Sequence, residues 1–277
     1  MQKETGKTLT VFQSTYRQST QLHTRLCELR ADTSSDRRYD SDFLTLKQLY
    51  DQKVFGEVTE CEIHYDVDFP SWMRGWDSPA YSPGQGMMFG LGSHTIDQAL
   101  ELFGTPSNVT GFYRSLRGVE SKTDDTFTII LQYKERNLLV TVKTTVVSPM
   151  LQPLKYLIRG YDGSFVKYGE DMQESQHAGG LTDATDPKFG VESEDTYGLL
   201  VTKKKVHDGQ TKDEATGRYI GKYPSARGDY VGFYKDLVAA IHGKGELKVK
   251  PEQSRDGIRI IELARESADK GATIPFS

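Results

Sequence analysis

The chain lacks the features that mark several large protein classes. Its 277 residues include only two cysteines, too few for a disulfide framework, so the composition fits a reducing compartment. No run of about 18 apolar residues is present, and the first residues lack the apolar segment of a signal peptide. A net charge of −4 and a pI near 5.9 argue against a nucleic-acid-binding surface. We therefore expect a cytoplasmic globular protein with no membrane or nucleic-acid partner.

A dinucleotide-binding fingerprint is also missing. Such a site needs G-x-G-x-x-G between a strand and a helix, with an acidic residue about 20 positions later. The run Gly90-Leu91-Gly92 is only a G-x-G and follows no predicted strand. The isolated chain is therefore expected to bind NAD(H) and NADP(H) negligibly, because it has no loop to hold the pyrophosphate.

What the sequence does contain is a series of strands with short connections. Between residues 61 and 69 apolar and polar side chains alternate, which predicts a strand with Cys61 on a buried face and His64 on a solvated, acidic face. Similar segments follow at 109–117, 126–133, 138–147, 156–161 and 164–168, with a short one at 196–201 inside the long polar region 170–228. Successive strands joined by short loops predict an antiparallel sheet.

Apolar stripes predict four helices, near 43–50, at 94–103, at 231–241 and from Pro251 to about 270. We expect an α+β fold: an open, predominantly antiparallel sheet with the last three of these helices packed on one face. The sheet domain is expected to span residues 58–277.

A glycine-rich stretch leads directly into the helix at 94–103. Ile96, Ala99, Leu100 and Phe103 form its apolar stripe, and His94 and Asp97 lie three residues apart on one face. An ordinary helix start capped by Ser93 explains these residue types equally well. The alternative is a functional site, in which an imidazole and a carboxylate lie together beside glycines that let the backbone come close to a ligand.

The order of residues across this stretch favours the functional alternative. Residues 84–106 resemble the motif that opens the main helix of the second domain in the glucose-fructose oxidoreductase / inositol dehydrogenase / MocA family, G-G-x-x-x-D-x-G-x-H-x-x-D. The resemblance extends from about residue 37 to 277. It implies a nicotinamide-dependent oxidoreductase that acts on a sugar- or polyol-like hydroxyl, with NAD or NADP as cofactor.

The resemblance also assigns roles to individual residues. His94 matches the general base, and Asp97 matches the last acid of the motif and implies substrate binding. Gly90 stands where members have the Asp that orients the His, and the family's Glu-Lys-Pro has no counterpart. Residues 1–57 are then expected to be a remnant of a Rossmann-type domain, with an irregular insertion at 14–35.

The loop at 70–86 contains both tryptophans, Trp72 and Trp76, with Arg74 between them. Aromatic side chains and an arginine before a glycine-rich turn are typical of a pocket wall, so Arg74 and Trp76 are predicted to bind substrate. Simple anchoring of the loop is an equally good interpretation.

Two classes of function remain open. One is an oxidoreductase whose cofactor domain is incomplete in this chain and which is inactive alone. The other is a non-catalytic binding, regulatory or assembly module on the same fold. An open sheet face without helices favours a homo-oligomer formed by face-to-face pairing.

The polar segment 14–35 interrupts the resemblance, which resumes at Arg37. We hypothesise that it is a translated, unspliced intron, because codons for Ser14-Thr15-Tyr16 and Ser35-Asp36 can contain splice sites and their excision preserves the reading frame. A true surface insertion is the alternative, since a loop tolerates added length at small entropic cost. Sequencing of the mature transcript distinguishes the two.

Overall fold

The computed structural model describes residues 36–73 and 80–277. The strand predicted before residue 14, the insertion at 14–35, and Arg74 and Trp76 lie outside the described residues. Six helices are found in the described part: α1 (Ser41–Asp51), α2 (Met87–Gly90), α3 (Gly92–Phe103), α4 (Gln173–Ala178), α5 (Tyr230–Ile241) and α6 (Pro251–Lys270). None of these helices has the length and apolar character that a membrane span requires.

Ten strands form one sheet in the order β10-β2-β3-β4-β1-β5-β6-β7-β9-β8. Their bounds are β1 (Val58–His64), β2 (Asn108–Arg114), β3 (Thr126–Tyr133), β4 (Leu138–Thr145), β5 (Leu154–Gly160), β6 (Gly163–Tyr168), β7 (Gly198–Thr202), β8 (Thr211–Lys212), β9 (Tyr219–Tyr223) and β10 (Ile274–Pro275). Among the strands of the described residues only the β1–β4 pair is parallel, so the predicted α+β class with a mostly antiparallel sheet is confirmed.

The core lies between one sheet face and the helices. On β3 and β4 every second residue is buried, as the alternation predicted, and α3 lies against β4, α2 against β3 and α6 against β2. Gly111 on β2 allows α6 to approach closely, because a Cβ at this position would overlap the carbonyl oxygen of Ala264. Cys61 is fully buried, as predicted.

Helix α1 also contributes to this core, through Phe43, Leu46 and Leu49. The boundary predicted at residue 57 stays a prediction. Helix α5 differs from the expectation, because its buried Phe233 joins Tyr39 and Val249 in a separate, smaller cluster. Its main contacts are with the short 3₁₀ helix Asp36–Tyr39.

Two predictions around β1 were wrong. His64 is buried and not solvated: its Nε2 lies 3.0 Å from Glu62 Oε2 and its Nδ1 lies 3.5 Å from Asp66 Oδ2. Phe69 is exposed and has a positive φ of 39°, because the regular strand ends at His64. The chain beyond it continues beside β4 through single backbone hydrogen bonds from Tyr65 and Val67.

Candidate active site

The helix that carries His94 is fixed at its start by a buried carboxylate. Asp124 accepts hydrogen bonds from the backbone N–H of Met88, 2.9 Å away, and from Arg265 Nη1, 2.6 Å away. Gly86 has φ 98°, and a Cβ there would overlap the Asp124 carboxylate. Glycine is therefore required where the loop meets Asp124. Burial raises the pKa of Asp124, and its hydrogen bonds oppose that shift.

Helices α2 and α3 are almost continuous, joined at Leu91 in right-handed helical conformation. Ser93 does not cap α3, since its Oγ donates to the carbonyl oxygen of Gly90 at 3.2 Å. One turn of helix consequently separates Gly90 from His94. His94 is half-buried, and its ring centroid lies 6.1 Å from that of Tyr65.

Tyr65 is the point where three elements meet. Its ring lies beside His94 of α3, beside Arg37 of the 3₁₀ helix, and beside Lys155 of β5. Arg37 Cζ is 5.3 Å and Lys155 Nζ is 4.2 Å from the ring centroid, both within the range of cation–π attraction. Burial raises the pKa of Tyr65, so its phenol stays protonated at neutral pH.

Arg37 is itself held in place by several partners. Its guanidinium donates to the Tyr230 hydroxyl at 2.8 Å and pairs with Glu174 of α4. The backbone carbonyl of Arg37 accepts from Gln98 Nε2 at 3.1 Å, and Gln98 Oε1 accepts from the Tyr156 hydroxyl at 3.0 Å. This chain of hydrogen bonds connects the 3₁₀ helix, α3 and β5 beneath the site.

Two buried carboxyl groups lie below Lys155. The carboxylate oxygens of Asp40 and Asp42 have no hydrogen-bond partner among residues 36–73 and 80–277. Burial raises the pKa of Asp40, with Arg37 opposing the shift, and raises that of Asp42 to about 6, with Lys155 and Lys167 opposing it. Burial without hydrogen bonds disfavours the ionised form of a carboxyl group, which is the physical cause of both shifts.

Asp97, predicted to bind substrate, is engaged within the protein. Its Oδ1 accepts from Arg38 Nη2 at 2.6 Å and its Oδ2 accepts from Arg38 Nε at 2.7 Å. Both side chains are buried, and Arg38 also donates to Glu101 at 2.7 Å. The structure therefore brings His94 and Tyr65 together but directs Asp97 towards Arg38. A contact of Asp97 with substrate stays a prediction, as do the roles of Arg74 and Trp76.

The glycines near His94 do not form a phosphate cradle. They join two helices instead of following a strand, and a Cβ on Gly92 would meet Phe127 Cζ at 2.9 Å, so that glycine serves packing. A Cβ on Gly90 would meet only Met87, at 3.5 Å. These glycines therefore do not form a phosphate-binding loop, and Gly90 has space for a Cβ.

Sequence reasoning missed three of the residues that form the site. Tyr65 was predicted only as a buried strand residue, and Arg37 only marked where the resemblance resumes. Lys155 gave no signal at all, since it precedes the predicted strand at 156–161. One sequence feature did point to charged partners near α1. It is the arginine pair at 37–38, which stands just before Asp40 and Asp42 at the start of that helix.

The family of the chain follows from its similarity to known proteins. Residues 43–166 match the family model of the GFO/IDH/MocA C-terminal domain. This chain carries a GFO/IDH/MocA C-terminal domain. The resemblance stated from the motif at residues 84–106 is thereby confirmed.

Relatives extend the similarity beyond the matched domain. An uncharacterized oxidoreductase of Schizosaccharomyces pombe is 35% identical over 247 residues, 87% of this chain and 66% of that protein. The scyllo-inositol 2-dehydrogenase (NADP(+)) IolW of Bacillus subtilis is 32% identical, covering 86% of this chain and 62% of that protein. The crystal structure of an oxidoreductase from Bacillus cereus has a TM-score of 0.73 at 28% identity, covering 87% of this chain and 64% of that one. The chain thus spans 62% to 66% of the length of these proteins.

Proposed function

We propose that the chain provides the substrate side of a nicotinamide-dependent oxidoreductase that acts on a polyol or sugar hydroxyl. The observation that carries the proposal is the placement of His94, half-buried at the start of α3 with its ring against Tyr65 and two cationic side chains nearby. The names of the relatives support oxidoreductase chemistry, and IolW is named as acting on scyllo-inositol with NADP.

In this proposal His94 accepts the proton of the substrate hydroxyl as its carbon is oxidised. Histidine suits the task because its unperturbed pKa lies near neutral pH. The raised pKa of Tyr65 keeps the phenol protonated, so it can donate a hydrogen bond to substrate without competing for that proton. NAD or NADP would carry the hydride, and the described residues contribute only substrate binding and proton transfer.

A fusion protein tests this proposal. The part of IolW that this chain does not cover would be joined to the complete 277-residue chain and assayed for NADP-dependent oxidation of scyllo-inositol. The His94→Ala variant should lower turnover by about 10²–10⁴-fold, the usual contribution of a general base. His242→Ala is the matched control, because His242 is exposed beyond the end of α5. Turnover of His94→Ala equal to that of the control would remove His94 from the mechanism.

A non-catalytic binding module is the second candidate. The observation that favours it is Gly90, which stands at the position where the resemblance expects the Asp that orients the His. This candidate predicts a fusion that binds polyol yet shows no turnover with either cofactor. Measurable turnover that depends on His94 would exclude it.

We also propose that the open sheet face pairs with a second copy of the chain. Phe112, Leu139 and Leu199 project from β2, β4 and β7 on the side opposite the core, and about half of each side chain is exposed. Such a spread of apolar side chains is typical of an interaction surface. Sedimentation velocity should show a dimer that Leu139→Lys dissociates, whereas Leu151→Lys, at a 99% exposed loop position, should leave it intact. A monomeric wild-type chain would contradict the pairing.

A further inference from the structure

Lys155 occupies an irregular position in its strand. The pairing of β5 with β6 shifts register between Leu154 and Tyr156, which makes Lys155 the extra residue of a β-bulge. Adjacent strand residues normally point to opposite faces, yet Lys155 and Tyr156 are both buried. Bulges redirect side chains in this way and are common beside active sites. The bulge therefore turns the lysine inward, where Nζ lies over the Tyr65 ring.

The ammonium of Lys155 has no hydrogen-bond partner among the residues that the structure describes, although the side chain is only 3% exposed. Lys167, on the neighbouring strand β6 and also buried, shows the hydrogen bonds of a lysine with a structural role. Its Nζ donates to the carbonyl oxygens of Thr196 at 2.8 Å and Tyr168 at 3.1 Å, and it lies 3.2 Å from Glu192. Lys155 Nζ is not among the fully buried polar atoms of the described residues, so a ligand can reach it and supply the hydrogen bonds that it lacks.

We propose that Lys155 contacts the substrate directly, donating a hydrogen bond to a neutral oxygen of a polyol or sugar bound between it and His94. This inference rests on the proposed function of the site. Lys155 Nζ and the His94 ring both lie beside Tyr65, 4.2 Å and 6.1 Å from its centroid, so at most about 10 Å separates them. This upper limit is compatible with one polyol molecule that is hydrogen-bonded to both groups.

The charges around Lys155 select a neutral ligand over an anionic one. Asp40, Asp42 and Glu170 all interact electrostatically with Lys155, and Arg37 contributes a second positive charge nearby. These carboxyl groups already balance the ammonium, so a hydroxyl or carbonyl oxygen is sufficient to satisfy its hydrogen bonds. The Tyr65 hydroxyl, which also has no hydrogen-bond partner within the described ranges, offers a second donor.

The test is the affinity of the complete 277-residue chain for scyllo-inositol, measured by NMR titration. Lys155→Met keeps the length of the side chain and removes the donor, so affinity should fall by about tenfold to a hundredfold, the contribution of a hydrogen bond to a charged group. Lys203→Met is the matched control, because Lys203 is exposed and pairs only with the exposed Asp162. Equal affinity in the two variants would overturn the proposal.

A second measurement uses the unsubstituted chain and so does not depend on the folding of a variant. Reductive methylation with ¹³C-formaldehyde labels lysine side chains, and the Lys155 signal should shift on addition of scyllo-inositol while the Lys203 signal stays fixed. A Lys155 signal that does not move at saturating polyol, or a chain that binds no polyol, would also overturn the proposal.

Failure of this inference can be distinguished from failure of the proposed function. A fusion protein with His94-dependent turnover whose Lys155→Met variant binds polyol normally would refute only the role of Lys155. An inactive fusion whose polyol binding still requires Lys155 would refute only the oxidoreductase proposal.

Discussion

Replacing Arg38 with methionine should destabilise the protein by about 3–5 kcal/mol, the usual cost of removing one partner of a buried ion pair. Both oxygens of Asp97 accept hydrogen bonds from Arg38, at 2.6 Å and 2.7 Å, and no other partner is present in the described part of the chain. Methionine retains much of the apolar stem of arginine, so the main loss is charge and hydrogen bonding. Asp97 is then left buried and unpaired.

The expected loss is large relative to the stability of most domains, which is about 5–15 kcal/mol. Urea denaturation followed by circular dichroism would measure it as a lower midpoint at constant slope. Arg159→Met is the control: Arg159 pairs with Glu60 at 2.5 Å, but both side chains are largely exposed, so the loss should be about 0–1 kcal/mol. A loss in Arg38→Met no larger than in this control would refute the argument.

A double variant separates the structural role of Asp97 from its predicted contact with substrate. Arg38→Met combined with Asp97→Leu removes both charges, and apolar replacement of a buried pair is often neutral. Stability should therefore recover in large part. If Asp97 acts only through Arg38, affinity for scyllo-inositol should recover as well. If affinity stays lost while stability returns, Asp97 touches the substrate as its sequence position predicted.

Three further substitutions test other parts of the structure. Asp42→Asn should reduce the pH dependence of stability. With the pKa of Asp42 raised to about 6 in the native state, the free energy of unfolding of the wild-type protein should fall by on the order of 3 kcal/mol as pH rises from about 4 to 7. Urea denaturation at each pH would measure this change. Gly111→Ala should cost about 1–3 kcal/mol by the same assay, because its Cβ overlaps the Ala264 carbonyl, whereas Gly90→Ala should change stability by less than about 0.5 kcal/mol. Gly90→Asp should raise turnover of the fusion protein by roughly tenfold by placing a carboxylate one turn before His94, and should have no effect in a His94→Ala background.

The elements with regular patterns could be predicted from sequence. The strand predicted at 126–133 is β3 residue for residue, because Phe127, Ile129, Leu131 and Tyr133 alternate along it and all face one core. Helix α3 was found from its apolar stripe, since each of those residues packs against the same sheet. Local periodicity is sufficient in both cases because a single buried face determines the whole element.

Long-range partners could not be predicted in the same way. The acidic neighbours of His64, Glu62 and Asp66, follow from the alternation, but the burial of His64 does not, because it depends on parts of the chain that pack over β1. The partner of Asp97 is Arg38, almost 60 positions earlier in the chain, so the ion pair exists only once the 3₁₀ helix and α3 are packed together. No local pattern encodes a contact of this kind. It is needed because a buried polar group requires a hydrogen-bonding partner.

The candidate site lies at the meeting point of three local irregularities. Strand β1 is central in the sheet and ends just before Tyr65, β5 is interrupted by the bulge at Lys155, and the two helices before His94 join at Leu91. The end of β1 leaves Tyr65 just beyond the strand, and Lys155 at the bulge and His94 after the helix junction lie beside its ring. Because each is anchored to the core on both sides, the three groups are held on rigid elements, as positioning of a substrate requires. Periodicity gave no role to Tyr65 or Lys155 because the regular strand ends before one and bulges at the other, whereas His94 was found from its motif.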